Sequence, residues 1–313
     1  MTLSSCLDEY VRHRRSLGVC FHGEQVRLST FLRTVGDREI ETVTPRAVRR
    51  FIDGRGPITR SWFARFHTLN AFYRFAIRRE YVTTSPLPRT KPAPPETFVP
   101  YLYTEDDMRR LLSAVDHRHE EDWLVRPATM RTLLLLLYAT GLRISEALAL
   151  DMRDVDLPQR LLTIRETKFY KSRLVPVGDD LAGVLRRYRE RQYGHGDRAP
   201  TACFLSDHRQ HRISRQVAEL VFHRIRHQAG LDYPVGRRSR PRLHDLRHTF
   251  AMNRLVSWYH EGKNVQRLLP HLATYLGHHS VAETQRYLQM TSELAMQAGL
   301  RFLQYAEVRD AHD

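Results

Sequence analysis

Apolar residues recur at helical spacing through the first part of the chain. From Leu28 onward they stand at i, i+3, i+4 and i+7, which places them on one face of a helix that ends at Gly36. Thr44 and Pro45 give a further helix an N-cap and a first-turn proline. Four such stripes predict a small all-helical domain over residues 1–82. The predicted helices lie near residues 7–17, 28–35, 45–53 and 62–76.

Prolines crowd the next segment and separate two parts of the chain. Proline has no backbone N–H and clashes inside a helix, so residues 83–100 are predicted to form an extended, semi-rigid linker. A chain of 313 residues has room for about two domains. We therefore expect a second domain over residues 101–313. The prolines are Pro86, Pro88, Pro92, Pro94, Pro95 and Pro100.

The second domain mixes helical spacing with short β-type runs. Thr104, followed by three acidic residues, predicts an N-cap with carboxylates near the positive end of the helix dipole. A more apolar helix passes through five consecutive leucines and ends near Gly141. Apolar runs at 161–164 and 174–177 flank a polar turn and predict a β-hairpin. The expected fold class is therefore mostly α with a small antiparallel β-sheet.

The net charge of the chain predicts a polyanionic partner. Fifty lysines and arginines oppose 35 acidic residues, giving a net charge of +15. Residues 1–100 hold seventeen of these cations against nine acidic residues, so about half of the excess lies in a third of the chain. We expect arginines here and in a basic loop near residue 240 to contact DNA, although a solvated helix face explains any one of them equally well. The candidates are Arg46, Arg49, Arg50, Arg60, Arg65, Arg237, Arg238 and Arg240.

Other sequence features favour a soluble cytoplasmic protein associated with the nucleoid. The longest purely apolar run is five leucines, far short of the ~18 residues that a membrane span requires, and no targeting segment is recognised. Cys6, Cys20 and Cys203 are isolated and odd in number, which fits a reducing compartment. No membrane partner is expected.

Candidate chemistry is concentrated in the segment HDLRHTF at 244–250. His244, Arg247 and His248 stand at i, i+3 and i+4 and so project from one face of a helix. A basic, solvated helix face explains this pattern about as well as an active site does. The two histidines also have the spacing of the zinc-protease motif H-E-x-x-H, but Asp245 replaces its glutamate and the arginine would repel a metal ion. No metal site is therefore predicted.

Three other segments carry residues that could join this helix in one site. Arg143 lies in ATGLRISEAL, just after a glycine that ends the preceding helix. Lys168 lies in TKFYKSRLVPV, on the turn of the predicted hairpin. In LGHHSVAETQRY, Tyr287 follows His278 by nine residues. In this order and spacing the set resembles the tyrosine recombinase (phage integrase) family over residues 101–290.

The resemblance implies a two-domain architecture, with an N-terminal helical core-binding domain before a mixed α/β catalytic domain. It implies a site-specific recombinase or integrase that cleaves and rejoins duplex DNA through a covalent 3′-phosphotyrosine. Its partners would be double-stranded DNA and further subunits, in a tetramer on synapsed DNA formed by this chain alone or with related recombinases. No cofactor and no ATP are expected. The implied catalytic residues are Arg143, Lys168, His244, Arg247, His278 and Tyr287.

The same residue types suit phosphodiester chemistry on physical grounds. A phosphodiester gathers negative charge on its non-bridging oxygens as it becomes pentacoordinate, and the planar guanidiniums of Arg143 and Arg247 match that charge. His244 and His278 could bond the same oxygens or move the nucleophile's proton, a division that the sequence leaves open. By itself Tyr287 fits a core aromatic; with its five companions it is favoured as the nucleophile.

Three assignments keep a second interpretation. Lys168 is preferred as the general acid for the departing 5′ oxygen because its place after the first strand matches the family's lysine, while Lys171 is the competing candidate and a possible DNA contact. Glu146 either fixes the guanidinium of Arg143 or forms an ordinary surface pair. A C-terminal apolar stripe would dock on a neighbouring subunit or on its own domain. That stripe is Met296, Leu300 and Leu303.

Two other classes of protein compete with a recombinase. The main alternative is a non-catalytic DNA-binding accessory protein of the same fold, although a binder has no need of a tyrosine at position 287. A metallohydrolase is a distant third. The interval before His278 is longer than is usual in the family, which leaves phage integrase, mobile-element transposase and resolvase open as subgroups.

Overall fold

A computed structural model describes most of the chain, and its helices dominate. Its contacts divide the chain into two compact units, residues 1–98 and 99–313. The prediction of a mostly α fold with a small antiparallel sheet is confirmed. The described residues are 1–18, 21–54, 58–94, 99–117, 124–167, 171–194, 199–233, 240–278 and 280–288.

The described residues of the first unit form four α-helices around an aromatic core. Thr44 caps the third helix by accepting a hydrogen bond from the backbone N–H of Ala47, and Pro45 occupies the first turn, as the sequence predicts. Phe31, Phe72 and Tyr73 are fully buried between the helices. The four helices are α1 (Leu3–Ser16), α2 (His22–Val35), α3 (Pro45–Asp53) and α4 (Arg60–Arg78).

Up to residue 276, the described residues of the second unit form seven α-helices and the sheet. Thr104 and Asp107 form a capping box at the start of the first of these helices, with each side chain bonding the other's backbone N–H. Gly141 ends the leucine-rich helix in the left-handed conformation, with φ of +63°. The helices are α5 (Glu105–Asp116), α6 (Pro127–Thr140), α7 (Ile144–Ala149), α8 (Asp179–Tyr193), α9 (Arg215–Gln228), α10 (Leu243–His260) and α11 (Val265–Leu276).

Three antiparallel strands form the sheet, in the order β1-β2-β3. The predicted hairpin is present, with Leu162 opposite Val175 and Ile164 opposite Arg173. The side chains of Leu162, Ile164 and Val175 enter the main core of this unit. A short first strand, which the sequence did not suggest, pairs with the second. The strands are β1 (Val155–Asp156), β2 (Leu161–Thr167) and β3 (Lys171–Pro176).

Helix α11 was not among the predicted helices, and it contains Pro270. A proline inside a helix removes one backbone hydrogen bond and typically costs about 3 kcal/mol. Here the helix buries Leu269, Leu272 and Leu276 in a separate cluster with residues of α10, and this burial offsets the cost. A further helical segment, 281–288, packs on the same cluster. None of the described helices is long and apolar enough to cross a membrane.

Candidate active site

Four of the predicted site residues lie around the carboxyl end of α11: Arg143, Arg247, His278 and Tyr287. Arg247 is almost completely buried, with 2% of its surface exposed. Its Nη1 donates to the carbonyl of Gly141 at 2.8 Å and its Nη2 to the carbonyl of Leu276 at 2.7 Å. These carbonyls lie at the C-termini of α6 and α11, where backbone acceptors lack helical partners and the helix dipole is negative. Two helix ends therefore hold the buried guanidinium.

Arg143 binds the next carbonyl along the chain. It lies at the N-terminus of α7, as predicted for a junction between helices, and its Nη2 donates to the carbonyl of Gly277 at 2.9 Å. Adjacent carbonyls thus position two guanidiniums together. Burial, followed by the charge of Arg143, lowers the pKa of Arg247 from 12.5 to about 10. Arg247 nevertheless remains cationic at neutral pH.

Glu146 lies between Arg143 and a second, unforeseen arginine. Its carboxylate accepts from Nη1 of Arg143 at 2.9 Å and from Nη1 and Nη2 of Arg173 at 3.1 and 2.8 Å. Only 8% of the Glu146 side chain is exposed, so the interpretation as a surface pair is wrong. Burial raises the pKa of this carboxyl, but the bonds and charges of the two arginines outweigh it and the net pKa is lowered.

Arg173 is a site residue that the sequence analysis missed. Its Nε donates to the carbonyl of Tyr275 at 2.8 Å, so it ties β3 both to α11 and to Glu146. The sequence held one signal: Arg173 and Val175 alternate with Leu174, so they share one face of the predicted strand. In the structure that face is the buried one, because Val175 is buried and Leu174 is 60% exposed. An arginine on the inner face of a strand needs anionic or carbonyl partners.

His278 is oriented by a buried hydroxyl. Its Nδ1 lies 2.7 Å from Oγ1 of Thr284, a residue with no exposed surface. Its ring stacks on that of Tyr287, with 6.2 Å between centroids and 17° between planes. Burial and the charges of Arg247 and Arg143 lower the pKa of His278 to about 3, so the ring is neutral at pH 7.

Tyr287 is buried, but its hydroxyl meets polar groups. The residue has 4% of its surface exposed and packs in the same cluster as Phe250 and Leu276. Its Oη lies 2.9 Å from Nδ1 of His248. Burial raises the pKa of Tyr287, while the charges of Arg247 and Arg143 and a hydrogen bond from Arg247 oppose that rise. The ring of Tyr287 is therefore packed as a core residue, while its hydroxyl lies close to the charged groups of the site.

The two histidines of α10 play unequal parts in this arrangement. His244 is exposed, and its ring meets the ring of His248 edge to face, with 4.9 Å between centroids. His248 was noted in the sequence for its helical position but was given no role. Partial burial and neighbouring cations lower the pKa of both residues, that of His248 to about 3. Among the described residues, no group of three or more histidine, cysteine, aspartate or glutamate side chains could hold a metal ion.

The candidate DNA contacts of the first unit divide into two kinds. The side chains of Arg46, Arg49, Arg50 and Arg60 are exposed, as a phosphate contact requires. Arg65 differs from this expectation, because it is half-buried and serves the structure of its own domain.

Arg65 caps the end of α3. Its Nη1 donates to the carbonyls of Phe51 and Ile52 at 3.3 and 3.1 Å, and its guanidinium fills the space beside Gly54. These bonds satisfy terminal helix carbonyls. Arg65 therefore has a structural role within its own unit, and its DNA contact stays a prediction.

Several predicted residues lie outside the described part of the chain. Arg240 is described: it is exposed and its guanidinium lies 4.6 Å from the centre of the Tyr233 ring. Lys171 begins β3, but its side chain is not among those described. The other undescribed residues are Lys168, Arg237, Arg238, Met296, Leu300 and Leu303.

Comparison with known proteins identifies the family. The phage integrase family matches residues 102–293, more than half of the chain. The protein y4rB of Sinorhizobium fredii, named as an integrase/recombinase, is 34% identical over 302 residues, which is 95% of this chain and 96% of y4rB. The tyrosine recombinase XerD of Bifidobacterium longum is 29% identical over 281 residues, covering 86% of this chain and 85% of XerD.

The fold comparison agrees with the sequence comparison. A lambda integrase tetramer bound to a Holliday junction matches with a TM-score of 0.67 and 19% identity, over 92% of this chain and 77% of that chain. The chain belongs to the phage integrase family of tyrosine recombinases.

Proposed function

We propose that this protein is a site-specific DNA recombinase that cleaves and rejoins duplex DNA through a covalent 3′-phosphotyrosine at Tyr287. One observation carries the proposal: two guanidiniums and a tyrosine hydroxyl lie together where α11 ends. The carbonyls of Leu276 and Gly277 hold Arg247 and Arg143, and Nδ1 of His248 bonds the hydroxyl. A merely structural tyrosine would need a partner for its hydroxyl, but it would not need two buried or half-buried arginines beside it.

The proposed reaction uses these groups in defined roles. Oη of Tyr287 attacks the scissile phosphorus, and the 5′ oxygen leaves. Arg143 and Arg247 donate hydrogen bonds to the non-bridging oxygens, where negative charge develops in the transition state. His278, with its Nδ1 occupied by Thr284, and His244 bond the same oxygens. Lys168, which the sequence predicts on the turn of the hairpin, supplies the proton for the 5′ oxygen, with Lys171 as the rival donor.

Charge neutralisation by arginines lets the reaction proceed without a metal ion in this proposal. The covalent phosphotyrosine keeps the energy of the cleaved phosphodiester, so rejoining requires no ATP. DNA is bound by the exposed arginines of α3 and by the second unit, and strand exchange takes place in a tetramer on synapsed DNA. A lambda integrase tetramer bound to a Holliday junction, which shares this fold, supports that assembly. We place the protein in the cytoplasm with the nucleoid.

A suicide substrate tests the proposal. The nicked DNA loses a short fragment on cleavage, so the covalent product is trapped and is scored by denaturing gel in EDTA. The wild-type chain should become linked to DNA, while Tyr287→Phe should bind the site with equal affinity and form no adduct, because it lacks only the attacking oxygen.

The same assay separates the competing classes. An accessory binding protein would shift the DNA on a native gel and yield no adduct in either form. A metallohydrolase would cut the DNA only in the absence of EDTA and leave the protein free. Cleavage by Tyr287→Phe would show that another residue is the nucleophile.

A further inference from the structure

The proton of Tyr287 needs an acceptor when Oη bonds to phosphorus. The sequence left this task between His244 and His278. The structure gives a different partner, because Nδ1 of His248 lies 2.9 Å from Oη. The ring centroids of these two residues are 5.6 Å apart at 56°, so the phenol meets the imidazole at its nitrogen and not at its face.

The other polar neighbours of Tyr287 are poorly suited to take a proton. Arg247 hydrogen-bonds the hydroxyl, but a guanidinium is permanently protonated and has no acceptor site. His278 lies nearly parallel to the phenol ring, and its Nδ1 is engaged with Thr284. His244 lies one helical turn earlier and contacts the ring of His248.

We propose that His248 accepts the hydroxyl proton of Tyr287 during cleavage and returns it during rejoining. This inference rests on the proposed recombinase function. In cleavage, the Oη–P bond forms, the P–O5′ bond breaks, and the proton moves from Oη to Nδ1. The 5′ oxygen receives its own proton from the proposed general acid, Lys168 or its rival Lys171. Rejoining reverses each transfer, so His248 ends the cycle as it began.

Burial and the charges around His248 keep its ring neutral before DNA binds. The groups that face it are His244, Arg242 and Arg247, together with Tyr287 itself. Burial and these neighbours lower the pKa of His248 to about 3, so at neutral pH the ring is uncharged. An uncharged ring that carries its hydrogen on Nε2 offers Nδ1 as an acceptor. Without DNA the proton therefore stays on the tyrosine.

DNA binding changes this balance. A phosphodiester bound by Arg247 offsets one of the positive charges that oppose an imidazolium at His248, while burial, the larger cause, remains. The phenolic proton becomes strongly acidic as Oη bonds to phosphorus, so even a weak base can accept it. Glu283, which acts on Tyr287 from the same helical segment, adds negative charge nearby. The site is thus built to release the proton only when the phosphate is in place.

Asparagine separates proton transfer from positioning at this residue. The side-chain oxygen in His248→Asn occupies roughly the place of Nδ1 and can accept a hydrogen bond, but it cannot accept a proton. We expect cleavage of the suicide substrate by His248→Asn to fall by about a hundredfold to ten-thousandfold, the usual contribution of general base catalysis. Its rate should rise steeply with pH, because the phenolate must now form unaided. DNA affinity and Tm should stay near those of the wild-type chain.

Chemical rescue provides the decisive comparison. Replacing Tyr287 with 3,5-difluorotyrosine gives a phenol that ionises at much lower pH and so depends less on a base. This replacement should restore most of the activity of His248→Asn and little of the activity of a matched His244→Asn variant, in which a phosphate contact is lost. If the role of His248 is proton transfer, His248→Leu should cleave the suicide substrate at about the same rate as His248→Asn. If its role is to position Tyr287 through a hydrogen bond, His248→Leu should be far slower.

Each outcome bears on one claim. A rate for His248→Asn within threefold of wild type, or no rescue by the fluorinated tyrosine, overturns the role of His248 as proton acceptor. Absence of any covalent adduct with the wild-type chain overturns the recombinase function itself. Adduct formation by wild type that is insensitive to His248→Asn leaves the recombinase intact and removes only the inference about His248.

Discussion

At the residue scale, the carboxylate of Glu146 neutralises the charge of two neighbouring arginines. Two guanidiniums, those of Arg143 and Arg173, bond it in a buried position. Replacing Glu146 by Gln keeps the shape of the side chain but removes its negative charge. An NH2 group then takes the place of one carboxylate oxygen and directs its N–H bonds at a guanidinium. Breaking a buried pair in this way typically costs roughly 3–5 kcal/mol. We expect a loss of that order in the free energy of urea unfolding of Glu146→Gln.

The pH dependence of unfolding gives an independent check on Glu146. Because its pKa is lowered in the folded state, its contribution to stability is complete above the pKa of an unfolded glutamate and disappears as pH falls through the folded pKa. The wild-type chain should therefore lose stability over this acidic range, and Glu146→Gln should lose less. Equal slopes for the two proteins would mean that the carboxylate is not paired in solution.

At the element scale, β3, α7 and α11 are joined at Gly277. Its φ is +67°, and a Cβ there would lie 2.8 Å from Nη1 of Arg173. Gly277→Ala would therefore displace Arg173 and the Gly277 carbonyl that Arg143 binds. We expect at least a tenfold loss of suicide-substrate cleavage with DNA affinity retained, because the displaced groups position Arg143, which is proposed to bond the reacting phosphate.

Gly262 provides a matched control for this prediction. Its φ is +66°, but no atom lies within 4 Å of a Cβ built on it. Both alanine variants should lose roughly 1–2 kcal/mol of stability from the left-handed backbone conformation. Cleavage should fall only in Gly277→Ala. If both variants cleave equally well, the contact between Arg173 and the glycine does not position Arg143.

The same elements show what the sequence could predict. Helices with a cap and a clear apolar stripe, such as α3 and α5, were predicted because local chemistry fixes their ends. Helix α11 was not, because its burial against α10 overrides the penalty of Pro270, and burial of this kind is invisible in local spacing. Arg173 and His248 gained roles only through residues distant in the chain, at Glu146 and Tyr287. Spacing within a motif therefore identifies candidate site residues, whereas their hydrogen-bond partners are fixed by tertiary packing.

At the scale of the whole molecule, the charge excess is predicted to act through defined phosphate contacts. Arg46, Arg49 and Arg50 are exposed on α3 of the first unit. Each lost phosphate contact lowers the slope of log K against log salt concentration by about 0.9 for duplex DNA. The full-length triple alanine variant should therefore bind its site more weakly and show a slope reduced by about one to three units.

A second triple variant distinguishes contacts from net charge. Arg186, Arg187 and Arg189 are exposed on α8, and replacing them with alanine changes the net charge by the same amount. If the α3 arginines touch the backbone, their replacement should reduce the salt slope more than that of the α8 arginines. Equal slopes in the two variants would show that the first unit attracts DNA only through its overall field, since a diffuse field depends on the charge removed and not on where it was. An unchanged slope for the α3 variant alone would mean that these side chains face solvent in the complex.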